Sequence, residues 1–107
     1  EDVVAGLVTL GTPHFPPQPP IEDMTFGCLT YVNQEYPGAY LSDRGIWYVT
    51  VAGARVTGQK DAPQESIERY AWGSYTQVCG EGEQMVGDGV VPLCSAHLEG
   101  AEQLTCD

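Results

Sequence analysis

Positive charge is the scarcest property of this sequence: four Lys/Arg stand against fifteen Asp/Glu, a formal net charge of -11. A surface of that sign repels the phosphate backbone that DNA- and RNA-binding proteins must attract, so nucleic acid is not an expected partner. Long apolar runs are also missing. No stretch approaches the roughly 20 residues of a membrane-spanning helix, and Glu1-Asp2-Val3-Val4 lacks the basic flank of a signal peptide. The familiar catalytic signatures are absent as well. None of Ser42, Ser66, Ser74 and Ser95 sits in a G-x-S-x-G elbow, there is no G-x-x-x-x-G-K-[ST] loop, and no G-x-G-x-x-G opens a helix. Gly80-Glu81-Gly82 is glycine-rich, but its own carboxylate opposes a bound phosphate. Without a C-x-x-C pair or the D-x-[DN]-x-[DN]-G spacing of an EF-hand, neither zinc nor calcium is expected, and no metal or cofactor is assigned.

What is present fits one small domain, residues 1–107, with 42% hydrophobic residues and room for one modest core. The acidic residues are scattered, which marks solvated faces and loops rather than an acidic tail. Cys28 lies in a helical pattern and Cys106 in a short apolar run, where a free thiol behaves as a small buried hydrophobe. Cys79 and Cys94 could close a loop around the glycine-rich segment in an oxidising compartment, although spacing alone does not fix that pairing.

Val3 to Leu10 is nearly all apolar and β-branched, the pattern of a central strand buried on both faces of a parallel sheet. The proline run from Pro13 to Pro20 then forbids helix and ladder alike, and its Pro17-x-x-Pro20 spacing lacks the adjacent Arg/Lys of an oriented polyproline ligand. From Asp23 the period becomes helical: Met24, Cys28, Tyr31 and Val32 share a face, Asp23 is placed to cap, and Tyr36-Pro37-Gly38 ends the helix. After a turn at Asp43-Arg44-Gly45, Ile46 to Gly53 predicts a second central strand, with Trp47 in the core. Two buried strands flanking a helix form a βαβ unit, so the expected class is α/β, with parallel strands and a crossover helix.

Residues 54–77 show no clean period and predict an insertion with one short helix over Ser66 to Trp72. A glycine-punctuated acidic loop precedes Val90-Val91-Pro92, and Ala101 to Cys106 predicts a third, short strand. One good helix is too little to cover both faces of a parallel sheet. The domain is therefore expected to be incomplete, and the absence of an initial Met suits a fragment.

A strand ending in Gly11-Thr12-Pro13-His14, followed much later by Gly87-Asp88-Gly89-Val90-Val91-Pro92, resembles an α/β-hydrolase of the lipase/esterase type. The similarity is strongest to the plant and algal lipase-like proteins related to the GPI inositol-deacylase (PGAP1-like) group. It extends through Tyr31-Val32-Asn33, Tyr36 to Tyr40, Tyr75 to Gly80 and Ser95 to Gly100, and so covers most of the chain.

The resemblance implies the C-terminal portion of an α/β-hydrolase fold and a Ser-Asp-His triad whose acid is Asp88. The serine and histidine are expected outside residues 1–107, so the segment alone should be inactive. His14 is implied to line the cleft wall, and His97 to precede the strand leading to the triad histidine. Trp72 is expected to line the insertion that often covers a lipase cleft. The implied substrate is a carboxylic, lipid-like ester; a membrane surface and a plastid location are compatible with it. The alternatives left open are a non-catalytic acidic interaction module and a degenerate hydrolase without a triad.

Overall fold

Strand β2 (Trp47–Gly53) forms the centre of the structure, a computed structural model that describes residues 3–107. Its β-branched and aromatic run suits a pleated, flanked position. Strands β1 (Gly6–Leu10) and β5 (Glu102–Cys106) lie parallel to it on either side, in the order β1-β2-β5. Between β1 and β2 the chain forms helix α1 (Cys28–Glu35); between β2 and β5 it forms α2 (Ile67–Cys79) and the short α3 (Leu93–Ala96). Parallel neighbours joined through helical segments give the α/β class. Two short strands, β3 (Val56–Thr57) and β4 (Val86–Gly87), pair antiparallel, with Val56 opposite Gly87.

Register decides which side chains share a face. Thr9 lies beside Thr50 and Ala52 beside Thr105, so strand alternation puts Leu7, Thr9, Tyr48, Thr50, Ala52 and Thr105 on one side of the sheet. That side carries the core. Ala52 clusters with Val91 and Ala96, with Val78 of α2 and Leu93 of α3 packed around them, and Thr50 is buried. The other side presents Val8, Leu10, Val49, Val51 and Leu104, and it is open: Leu10 is 74% exposed and Val8 50%. The molecule is accordingly flat, 52 × 30 × 17 Å.

Several elements differ from the sequence expectation. The first strand was expected to begin at Val3 and to be central; it begins at Gly6 and is an edge strand, paired with β2 alone. Trp47 is not in the core but 53% exposed, and its indole lies over Gly6, where a Cβ would fall 2.0 Å from the ring. Cys28 and Cys106 are exposed rather than buried.

Helix α1 starts four residues later than a cap at Asp23 would give. The Asp23 carboxylate instead accepts hydrogen bonds from the Thr25 and Gly27 backbone N–H groups and the Thr25 hydroxyl, closing a local turn that competes with helix. These bonds, the Thr25 hydroxyl foremost, hold its carboxyl below the usual carboxylate range. The expected apolar face of α1 points to water, since the helix has no buried residue and Met24 is 70% exposed. Its inward side is Leu29 and Asn33, one helical turn apart, and the Asn33 amide donates to the Leu29 and His14 carbonyls.

The region expected to be an insertion with one short helix over Ser66 to Trp72 does hold a helix there, but a longer one, Ile67–Cys79, the longest among the described residues. Ser66 caps α2, its hydroxyl accepting from the Arg69 N–H at 3.2 Å, and Gly80 ends it in the left-handed conformation with its N–H donating to Thr76 O. Ala71 and Tyr75, at i and i+4, are its buried residues. Trp72 is half-buried on the same helix, with the Lys60 ammonium 5.7 Å and the Arg69 guanidinium 5.4 Å from its ring.

Ser66→Ala is expected to lower unfolding free energy by about 1 kcal/mol. Urea denaturation checks this: the midpoint should fall with the slope unchanged, whereas an unmoved midpoint would mean that the cap adds nothing.

Candidate active site at the carboxyl ends of the strands

Asp88 is carried to the end of the sheet by a short relay of backbone pairings. Strand β3 follows closely on β2, β4 pairs with β3, and Gly87 bridges to Pro92 across a tight turn closed by Asp88 N–H donating to Val91 O. Within the turn, Asp88 Oδ1 accepts from the backbone N–H groups of both Val90 and Val91, each at 2.8 Å. The carboxylate is thereby fixed by one oxygen. The turn arrangement that an Asp-Gly pair favours on its own chemistry is present.

The other oxygen faces the sheet. A Cβ on Gly11, the residue after β1, would lie 2.7 Å from Asp88 Oδ2, and a Cβ on Gly53, the last residue of β2, would lie 2.8 Å from Asp88 Cβ. Only glycine at these two strand ends admits so close an approach. Asp88 therefore sits just beyond the carboxyl ends of two parallel strands. Among the described residues Oδ2 has no hydrogen-bond partner, and Asp88 is exposed.

Tyr75 holds this turn from beneath. Its buried hydroxyl donates to Val56 O and accepts from the Gly89 N–H, both at 2.9 Å, so one phenol ties α2 to β3 and to the Asp88 loop. Burial, the largest influence, pushes the hydroxyl above the usual tyrosine range, and the negative charge of Asp88 adds to it. Sequence reasoning gave Tyr75 no role of its own. The available signal was Ala71-x-x-x-Tyr75, a small and an aromatic residue at helical spacing.

The two histidines belong to the helix-covered face of the sheet. His14 Nε2 is 3.0 Å from Thr9 Oγ1, and the His14 backbone N–H donates to Ser95 O at 2.7 Å. His97 Nδ1 is 2.7 Å from Thr50 Oγ1, and its Nε2 is 3.1 Å from Thr105 Oγ1. Both nitrogens of His97 are engaged by threonines of β2 and β5, which leaves neither for Asp88. Burial, and after it the charge of His97, lowers the pKa of His14.

His14 lines a groove of about 320 Å³ whose wall includes Leu7, Leu29, Val32, Tyr48 and Leu98. Leu7 and Tyr48 belong to the early halves of β1 and β2, so this groove opens away from the strand ends where Asp88 sits. The structure thus does not bring the two sequence-derived site residues, Asp88 and His14, together in one pocket. Among the described residues no group of three or more His, Cys, Asp or Glu side chains could hold a metal ion, and no helix is long and apolar enough to cross a membrane.

No family model, no curated protein and no solved structure matches this chain.

Tyr75→Phe leaves the buried Gly89 N–H without its acceptor, and the expected loss of stability is about 1–3 kcal/mol. Hydrogen exchange at the Gly89 amide reports it directly and should accelerate; an unchanged rate would show that the phenol does not hold the loop. His14 binds protons less readily folded than unfolded, so its contribution is full above the unfolded value of 6.5 and diminishes as pH falls through that value toward the lower folded one. Thermal midpoints should therefore decline between pH 7.5 and 5.5 more steeply in the parent than in His14→Gln, and equal slopes would contradict it.

Proposed function

We propose that these residues are part of a serine α/β-hydrolase cleaving carboxylic, lipid-like esters, with Asp88 as the acid of its Ser-Asp-His triad. The supporting observation is the placement of Asp88 past the carboxyl ends of β1 and β2, with Oδ1 tied by two backbone N–H groups and Oδ2 left beside Gly11. In open parallel sheets, ligands bind in the crevice outside these strand ends. A carboxylate tethered through one oxygen keeps its orientation while the second accepts the Nδ1–H of a histidine. It then selects one tautomer and stabilises the imidazolium formed when serine gives up its proton. The serine oxygen attacks the ester carbonyl, the alcohol departs, and water releases the acid from the acyl-enzyme.

The open side of the sheet agrees with this proposal. Parallel sheets are covered on both faces, and Val8, Leu10 and Leu104 are apolar residues with no cover. On this reading, further polypeptide supplies a second layer together with the serine, the histidine and the oxyanion hole. His14 then contributes to the wall of the neighbouring groove and takes no part in proton transfer. A non-catalytic interaction module is the rival that also uses the open face.

In the intact protein, Asp88→Asn is expected to lower kcat on a p-nitrophenyl ester by roughly 1,000- to 10,000-fold. The fold should persist, because an amide oxygen still accepts from Val90 and Val91. Fluorophosphonate should label one serine of the parent protein. An unlabelled intact protein, or an Asp88→Asn variant turning over at the parent rate, would reject the triad in favour of the interaction module or a degenerate hydrolase.

A further inference from the structure

The groove beside α1 has an aromatic rim. Tyr36 and Tyr40 line it and are each 49% exposed, and Tyr48 lines it together with Leu7, Leu29 and Leu98. The rings of Tyr36 and Tyr40 lie 5.2 Å apart at 84°, and Tyr31 continues the row 6.3 Å from Tyr36. Two nearly perpendicular rings make a corner, and the face of each carries the negative side of its quadrupole. Backbone bonds hold that corner. The Ala39 N–H donates to Glu99 O at 2.9 Å and the Leu41 N–H to the Tyr48 hydroxyl at 3.1 Å, which fixes the chain on both sides of Tyr40.

The surrounding charge has one sign. Glu35 directly precedes Tyr36, and Asp43 and Glu99 line a recess that shares Gly38 and Tyr40 with the groove. Among the described residues no Lys or Arg lines either recess. Three of the four basic residues, Arg55, Lys60 and Arg69, belong to the region of β3 and α2, where Lys60 and Arg69 lie over Trp72. Burial, and after it the charge of His97, lowers the pKa of His14, so its ring adds no positive charge near neutral pH.

We propose that this groove binds a soluble quaternary ammonium with a short alkyl tail, its head in the corner of Tyr36 and Tyr40 and its tail along Leu7, Leu29 and Leu98. Tyrosine faces attract such a cation, and the carboxylates nearby add to the attraction. Hydrogen bonding is already committed elsewhere. Both N–H groups of the Asn33 amide donate to the His14 and Leu29 carbonyls, and His14 Nε2 is 3.0 Å from Thr9 Oγ1. A cation without N–H groups therefore suits the groove better than a primary amine, which needs acceptors. A lipid phosphocholine headgroup is disfavoured, because its phosphate would meet the carboxylates of Glu35, Asp43 and Glu99. The site goes beyond the hydrolase proposal and stands without it.

NMR titration of the intact protein with butyltrimethylammonium, choline and 3,3-dimethylbutan-1-ol, the uncharged isostere of choline, tests the site. Butyltrimethylammonium is expected to bind with a Kd of roughly 1 mM. Shifts should be confined to the Tyr36, Tyr40 and Tyr48 rings and the amides around Leu98. Choline should bind more tightly than its isostere by about fivefold, and Tyr36→Leu or Tyr40→Leu should weaken butyltrimethylammonium by a similar factor. An unchanged Gly89 amide resonance certifies that each variant is folded. The choline comparison needs no variant. Equal affinity for the uncharged isostere, shifts centred on the Asp88 turn, or no saturation by roughly 20 mM would overturn the proposal, as would sedimentation of the protein with phosphatidylcholine vesicles. None of these readouts depends on ester hydrolysis.

Discussion

The Asp88 carboxylate, held by the Val90 and Val91 N–H groups and braced from below by the Tyr75 hydroxyl, organises the far end of this molecule. Each partner comes from a different part of the chain. Gly11 follows β1, Gly53 ends β2, Val56 begins β3 and Tyr75 lies on α2, yet all converge on one turn. A buried phenol that is both donor and acceptor is costly to leave half-satisfied, so its two hydrogen bonds select one position for the loop. That selection is structural, and it is also what a residue must have if it is to orient a base.

The sheet imposes the second constraint. Three parallel strands with α1, α2 and α3 packed on the side of Leu7, Tyr48 and Ala52 leave Val8, Leu10 and Leu104 facing water. Apolar area of this kind contributes little to stability until it is covered, at about 25 cal/mol per Å². The covered side, by contrast, combines a small apolar cluster with a polar row: Thr9, Thr50 and Thr105 receive the rings of His14 and His97. Hydrogen-bonding both ring nitrogens of the partly buried His97 satisfies the buried Thr50 and the exposed Thr105 and keeps that ring from other work.

Much of the sheet was legible in the sequence, because β1 and β2 lie within β-branched runs that end at turn residues and needed no long-range information. The α/β class followed from them. The helices were less legible. Asp23 offers a capping carboxylate, but Thr25 and Gly27 capture it in a local turn, and the apolar residues at helical spacing end up facing solvent. Gly73, Ser74 and Thr76 obscure the period of α2, where only Ala71 and Tyr75 are buried, and tertiary contacts to the Asp88 loop stabilise what propensity would not. The approach of Asp88 to Gly11 could not be read from spacing at all; it emerges from strand pairing and the long-range β3-β4 pair.

The most direct test of the proposed role is a crystal structure of the intact protein after reaction with an organophosphonate. The expected result is a histidine whose Nδ1 lies within about 3 Å of Asp88 Oδ2, with Oδ1 still bonded to Val90 and Val91. A phosphonylated serine served by a histidine that another acid orients, with Asp88 Oδ2 facing only solvent, would contradict the account.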